Sequence, residues 1–108
     1  MANDFKNAQA VGVTSVTTIY TAPAAKTSIL LELDIANTTT SVVEANVEIF
    51  DTSASTDAFL VKNAPVPAGG TLQVVAGQKV ILEATDIVKV TATGAVDVVA
   101  AILEDVNS

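Results

Sequence analysis

The chain has no cysteine, histidine, tryptophan or arginine, and its 108 residues include one Tyr and three Phe. Each absence closes a route. Without Cys there is no disulfide framework and no thiolate metal site, so the redox compartment is unconstrained. Without His, the Ser-His-Asp and Cys-His mechanisms lack their base near neutral pH. A Ser-Lys pair, Ser28 near Lys26, remains formally possible, but a Lys on a strand or loop is ordinarily just solvated. Without Arg, and with a net charge of −7, the chain lacks the basic footprint that neutralises phosphates, which excludes nucleic acid as a direct partner. The same charge disfavours anionic membrane surfaces. No run approaches the ~18 consecutive apolar residues of a membrane helix. The opening Met1–Lys6 holds no apolar run and does not read as a signal peptide, so the protein is expected to act without export by that route.

What is present is aliphatic and β-branched. Half of the residues are hydrophobic, mostly Val, Ile, Leu and Ala, in short runs ended by Thr, Ser, Asn, Gly or Pro. Such runs predict an all-β chain. The length suits one domain burying roughly two-thirds of its unfolded surface, and small aliphatic side chains suit two sheets packed about 10 Å apart. The expected fold is a single-domain, jelly-roll-like β-sandwich of about eight short, mainly antiparallel strands.

Residues 1–10 are polar and without periodicity and read as a flexible N-terminal arm, leaving 11–108 as the sandwich domain. Strands are expected over 11–20, 29–36, 43–50, 58–64, 71–75, 79–83, 87–92 and 96–104. Ile29, Leu31, Leu33 and Ile35 alternate against Glu32, Asp34 and Ala36, with Leu30 the exception; Val43, Ala45, Val47 and Ile49 alternate against Glu44, Asn46, Glu48 and Phe50. These two strands, close in sequence, are expected to pair as a hairpin across 37–41, placing Glu32, Asp34, Glu44 and Glu48 on one face. Ala76-Gly77-Gln78 reads as the turn of a second hairpin, and Pro65, Pro67, Gly69 and Gly70 as a rigid connection ending in a turn. The last strand carries apolar groups on both faces. It is either a central strand covered on one side or a surface that meets another subunit.

Few constellations carry chemistry. Glu32, Asp34, Glu44 and Glu48 are the one plausible carboxylate set, readable as a solvated sheet face, an acid/base pair or a Ca²⁺ site. Asp51–Asp57 lacks the Asp-x-Asp-x-Asp-Gly order of a calcium loop and reads as a surface loop. Gly69-Gly70 and Gly77 lead into no helix and are turn glycines, not phosphate cradles. No catalytic residue, metal ligand or cofactor is expected. The reading from residues alone is a binding or structural module.

Three stretches taken in order carry a resemblance: IYTAPAAKTSILLELDIAN (19–37), NAPVPAGGTLQVVAGQKVILEATDIVKVTA (63–92) and VDVVAAILE (96–104). Together they resemble small β-sandwich virion proteins of tailed bacteriophages, including phages of cyanobacteria. Such proteins have a Pro-containing loop before a strand ending near Asn, a Pro-Ala-Gly turn, a Leu-Glu strand and a closing strand ending in Leu-Glu. Thr85 departs from the pattern, which often has Gly before the Asp, and so bears on the local turn. The resemblance implies a virion structural protein, most specifically a capsid decoration or cement protein. It would sit outside the shell on the major capsid protein, commonly as a homotrimer, assembled in the host cytoplasm. On that reading Asn3, Asp4, Phe5, Lys6, Pro65 and Pro67 are the expected shell contacts, and Val96, Val98, Val99, Ile102 and Leu103 the expected self-association surface. Two rivals stand beside it: a neck, tail or fibre-base component, separable by copy number per particle, and a carbohydrate-binding module, against which the lack of aromatic platforms weighs.

Overall fold

The computed structural model describes residues 4–104. Among them are eight strands: β1 (Asp4–Val13), β2 (Thr17–Thr21), β3 (Ser28–Asn37), β4 (Val43–Asp51), β5 (Thr56–Val66), β6 (Thr71–Leu82), β7 (Ile87–Ala92) and β8 (Val96–Glu104). They form two four-stranded sheets, the first in order β1-β8-β3-β6 and the second in order β2-β7-β4-β5. Every neighbouring pair is antiparallel. Only the β4–β5 connection stays within one sheet; every other connection crosses to the opposite one. This is the jelly-roll form of the β-sandwich, as the strand pattern leads one to expect.

The inner faces meet in an aliphatic core. Leu30, Leu33, Ile35, Val75, Leu82, Val98 and Ile102 from the first sheet face Val47, Val66, Val88 and Val90 from the second, all fully buried. Full burial of each such side chain contributes roughly 1.5–3 kcal/mol. At the β7–β8 turn, Gly94 lies so close to Val43 that an added Cβ would sit 2.5 Å from the Val43 Cγ1. The turn can therefore close over the core only without a side chain there.

Several sequence expectations are corrected. The alternation in β3 changes phase. Register to both neighbours breaks between Leu30 and Glu32, so Leu31 is a bulge residue. Leu30 is therefore buried with Leu33 and Ile35, while Ile29 and Leu31 turn outward. Strand β6 is continuous: both of its halves pair with β3, and 77–79 form an expanded bulge opposite Leu31, so no hairpin turns at 76–78.

β3 and β4 are not a hairpin. The buried Asn37 lies at the corner between them, where its Nδ2 donates to the carbonyls of Ser41 (2.8 Å) and Val66 (2.9 Å) and its Oδ1 accepts from the Thr39 amide (2.9 Å). This satisfied buried amide ties the link to the end of β5 and carries the chain across to the second sheet. Glu32 and Asp34 consequently lie on the outside of one sheet, and Glu44 and Glu48 on the outside of the other.

The expected arm is also revised. Asp4–Ala10 are not free but pair residue by residue with Val98–Glu104 as the first sheet's edge. Residues 1–3 lie outside the described residues. The stretch 11–20 divides between β1 and β2, in different sheets.

Thr85, the position that departs from the phage pattern, sits in the β6–β7 turn with φ of 66°. A β-branched residue in the left-handed region is strained. Its amide donates to the Ala22 carbonyl at 3.0 Å, a bond that glycine would keep. Thr85→Gly is expected to stabilise the fold by about 1 kcal/mol, measured as a higher urea midpoint at unchanged slope.

Candidate functional site

The two outer faces of the sandwich differ in chemistry. On the second sheet, Glu48 stands opposite Lys89, the Lys89 ammonium lies 4.9 Å from the Phe50 ring centre and 3.7 Å from Asp57, and Lys62 covers Phe59 at 4.8 Å. On this face Lys89 and Asp57 form an ion pair, and the Phe50 and Phe59 rings lie under Lys ammonium groups.

The first sheet is unlike this. Residues opposite one another in register share a face. Phe5 pairs with Leu103, Leu103 with Ile29, and Ile29 with Ile81. One apolar row thus crosses all four strands, with Phe5 77% and Ile81 57% exposed. Val99, 47% exposed, lies on the same face four residues along β8 from Leu103, and the outward bulge residue Leu31 widens the row. The row exists because the β3 bulge brings Ile29 onto the outside while Leu30 stays in.

Within the same face lie Glu32 and Asp34. Asp34 is flanked by Val99 on β8 and Gln73 on β6, and its Oδ1 is buried without a hydrogen-bond partner. Burial, then the neighbouring Glu32, raise the Asp34 carboxyl to about 6. Neither acid forms an ion pair among the described residues.

A second acidic group lies at one end of the sandwich, in a cavity of about 520 Å³ lined by Asp51, Glu83 and Asp86 with Ile49 and Ile81. Carboxylate oxygens of the three acids come within 4.8 Å of one another. Asp86 is buried, and both its oxygens are engaged: Oδ1 accepts from the Thr52 amide (3.1 Å) and Oδ2 from the Glu83 amide (2.9 Å). Asp51 Oδ1 accepts from the Ser53 hydroxyl (2.8 Å) and the Ala54 amide (3.3 Å). These bonds fasten the β4–β5 turn to the β6–β7 turn. They leave few free oxygens for a Ca²⁺ ion, which takes about six to eight. Sequence reading passed over this group because its members are remote in sequence.

Tyr20, Ser28, Glu104 and Lys6 form a further polar cluster. The Tyr20 hydroxyl donates to Glu104 Oε2 and lies 3.1 Å from the Ser28 hydroxyl, and the Lys6 ammonium is 3.0 Å from Glu104 Oε1. Burial first, then Glu104, push the Tyr20 phenol up to about 12. The hydrogen bond from Tyr20, then Lys6, hold the Glu104 carboxyl below its ordinary value. That carboxylate therefore stabilises the fold above the usual carboxylate range, and its contribution fades as pH falls through the lowered value.

The residues expected to touch a partner are not brought together. Asp4, Phe5 and Lys6 lie on the β1 edge, whereas Pro65 is in β5 and Pro67 opens the turn in which the Gly70 amide donates to its carbonyl at 2.9 Å. β1 flanks β2 and β5 flanks β6, so these groups occupy opposite sides of the sandwich. Asn3 lies outside the described residues. Of the expected self-association residues, Val96, Val98 and Ile102 are fully buried because β8 is an interior strand whose alternate residues face the core. Only Val99 and Leu103 point outward. β8 is a central strand, as one of the two readings had it, but its outer side is not covered, Val99 being 47% exposed. Ser28 is buried, its hydroxyl 3.1 Å from that of Tyr20.

No protein-family model matches the chain, and no curated protein matches it.

The Asp34 environment makes a signed prediction. A carboxyl whose folded value is raised favours the fold most below its unfolded value of about 4 and loses that advantage as pH climbs to about 6. Asp34→Asn is therefore expected to stabilise by about 1 kcal/mol at pH 8, after allowance for solvent screening, and to have little effect at pH 4. Urea unfolding at the two pH values checks this.

Proposed function

We propose that this protein is a phage virion structural component, most specifically a capsid decoration protein that acts by adhesion to the outside of the shell. Its partner is the major capsid protein; it uses no cofactor and performs no catalysis. The observation that carries the reading is the apolar row on the outer face of the first sheet. A domain with contiguous exposed aliphatic and aromatic groups on one face, opposite a face where Lys side chains cover the Phe rings, is suited to docking. The order of the three phage-like stretches supplies the virion context. The jelly roll is compatible with it, since capsid proteins are among the many users of that fold. A net charge of −7 disfavours association with packaged DNA.

Many copies on one shell would add weak contacts into firm reinforcement. Mixing the purified chain with heads assembled without it, then pelleting the heads, tests the proposal. Wild type is expected to pellet with heads. The double variant Ile81→Asp/Val99→Asp, altered only at exposed positions, is expected to fold and remain in the supernatant. Full retention of that variant, or wild type that pellets with isolated tails and not with heads, contradicts the proposal.

A further inference from the structure

We propose that β1 is a self-association edge, along which two copies pair antiparallel about a twofold axis at Ala8 and join their first sheets into one continuous sheet. The sandwich has four edge strands, β1, β6, β2 and β5. An edge strand is a template for pairing unless something blunts it. β5 carries Pro65, which lacks an amide proton, Asn63 with φ of 54°, and two register shifts. β6 is expanded at 77–79, with Lys79 at φ of 50°, and has two register shifts. β2 has five residues and a register shift. Over Asp4–Ala10 β1 follows β8 without a shift and holds no Pro or left-handed residue, its one guard being the inward Lys6; the register shifts after Ala10, across Val11 and Gly12, the latter with φ of 68°.

The side chains on this edge favour a second copy over an arbitrary strand. The two most exposed large apolar residues among those described are Val11 at 80% and Phe5 at 77%. Both lie on β1, three residues to either side of Ala8. Antiparallel pairing centred on Ala8 sets Phe5 of each copy opposite Val11 of the other, an aromatic and β-branched cross-strand pair made twice. In the same register Lys6 faces Ala10, Asn7 faces Gln9, and no like charges stand opposite. The contact is isologous and closes with two copies, whereas the phage resemblance implies trimers. It shares Phe5 with the shell-binding row but does not rest on that proposal, whose test changes Ile81 and Val99.

Analytical ultracentrifugation of the full chain from micromolar to millimolar concentration tests the pairing. Wild type, and Ile81→Asp/Val99→Asp, are expected to shift from one copy to two as concentration rises. Phe5→Lys/Val11→Lys and Phe5→Glu/Val11→Glu, each placing like charges opposite at both positions, are expected to remain single copies with unchanged circular dichroism. Their equimolar mixture is expected to regain the mass of two, because every Lys then faces a Glu. A monomeric wild type at millimolar concentration, a mass of three, charged variants that pair as wild type does, or a mixture that stays monomeric would each overturn the proposal.

Discussion

The structure depends on one constraint: in a strand, successive side chains point to opposite faces, so one inserted residue reverses everything beyond it. β3 uses this at Leu31. Before the bulge, Leu30 faces inward and Ile29 outward; after it, Leu33 and Ile35 face inward and Glu32 and Asp34 outward. Strict alternation would have buried Ile29 and Leu31 and exposed Leu30. The bulge thus fills the core and, in the same stroke, places aliphatic groups on the outside of the first sheet.

An aliphatic core between two sheets still needs its ends and corners closed, because the crossing connections carry backbone groups that must be hydrogen-bonded. Three polar clusters do this. Asn37 carries β3 across to β4, Asp86 fastens the β4–β5 turn to the β6–β7 turn, and Glu104, with Tyr20, Ser28 and Lys6, joins β1, β2, β3 and β8. Each joins residues far apart in sequence. The acids of this chain thus divide between holding the sandwich together, as Asp86 and Glu104 do, and marking its outer surface, as Glu32 and Asp34 do.

What was legible in the sequence follows from range. The all-β class, the two-sheet sandwich and the regular alternation of β4 rest on local pattern, and the structure has them; the number of strands agrees only because the missed β1 offsets the merging of 71–75 and 79–83 into β6. Strand pairing was not legible. Proximity in sequence suggested a β3–β4 hairpin, but a polar residue ending a strand looks the same whether the chain turns back or crosses over; only the contact from Asn37 to Val66 distinguishes the two. The β1 strand was missed because DFKNAQA alternates only weakly, its inward residues being Lys6, Ala8 and Ala10 at a sheet margin. β8 was ambiguous because Val99 and Leu103 are as aliphatic as the buried Val98 and Ile102. The one trace of the β3 bulge was Leu30, the residue out of step. The candidate docking face was illegible for the same reason, since it is assembled by register across four strands.

The face and the core stand together on the phase reversal at Leu31. The most direct measurement is the unfolding free energy of Leu30→Ala beside that of Leu31→Ala. Leu30, fully buried, is expected to cost about 3 kcal/mol, and the outward Leu31 about 1 kcal/mol or less. The reverse order, or equal costs, would mean that β3 alternates without a bulge and that the outer face is not the apolar surface described.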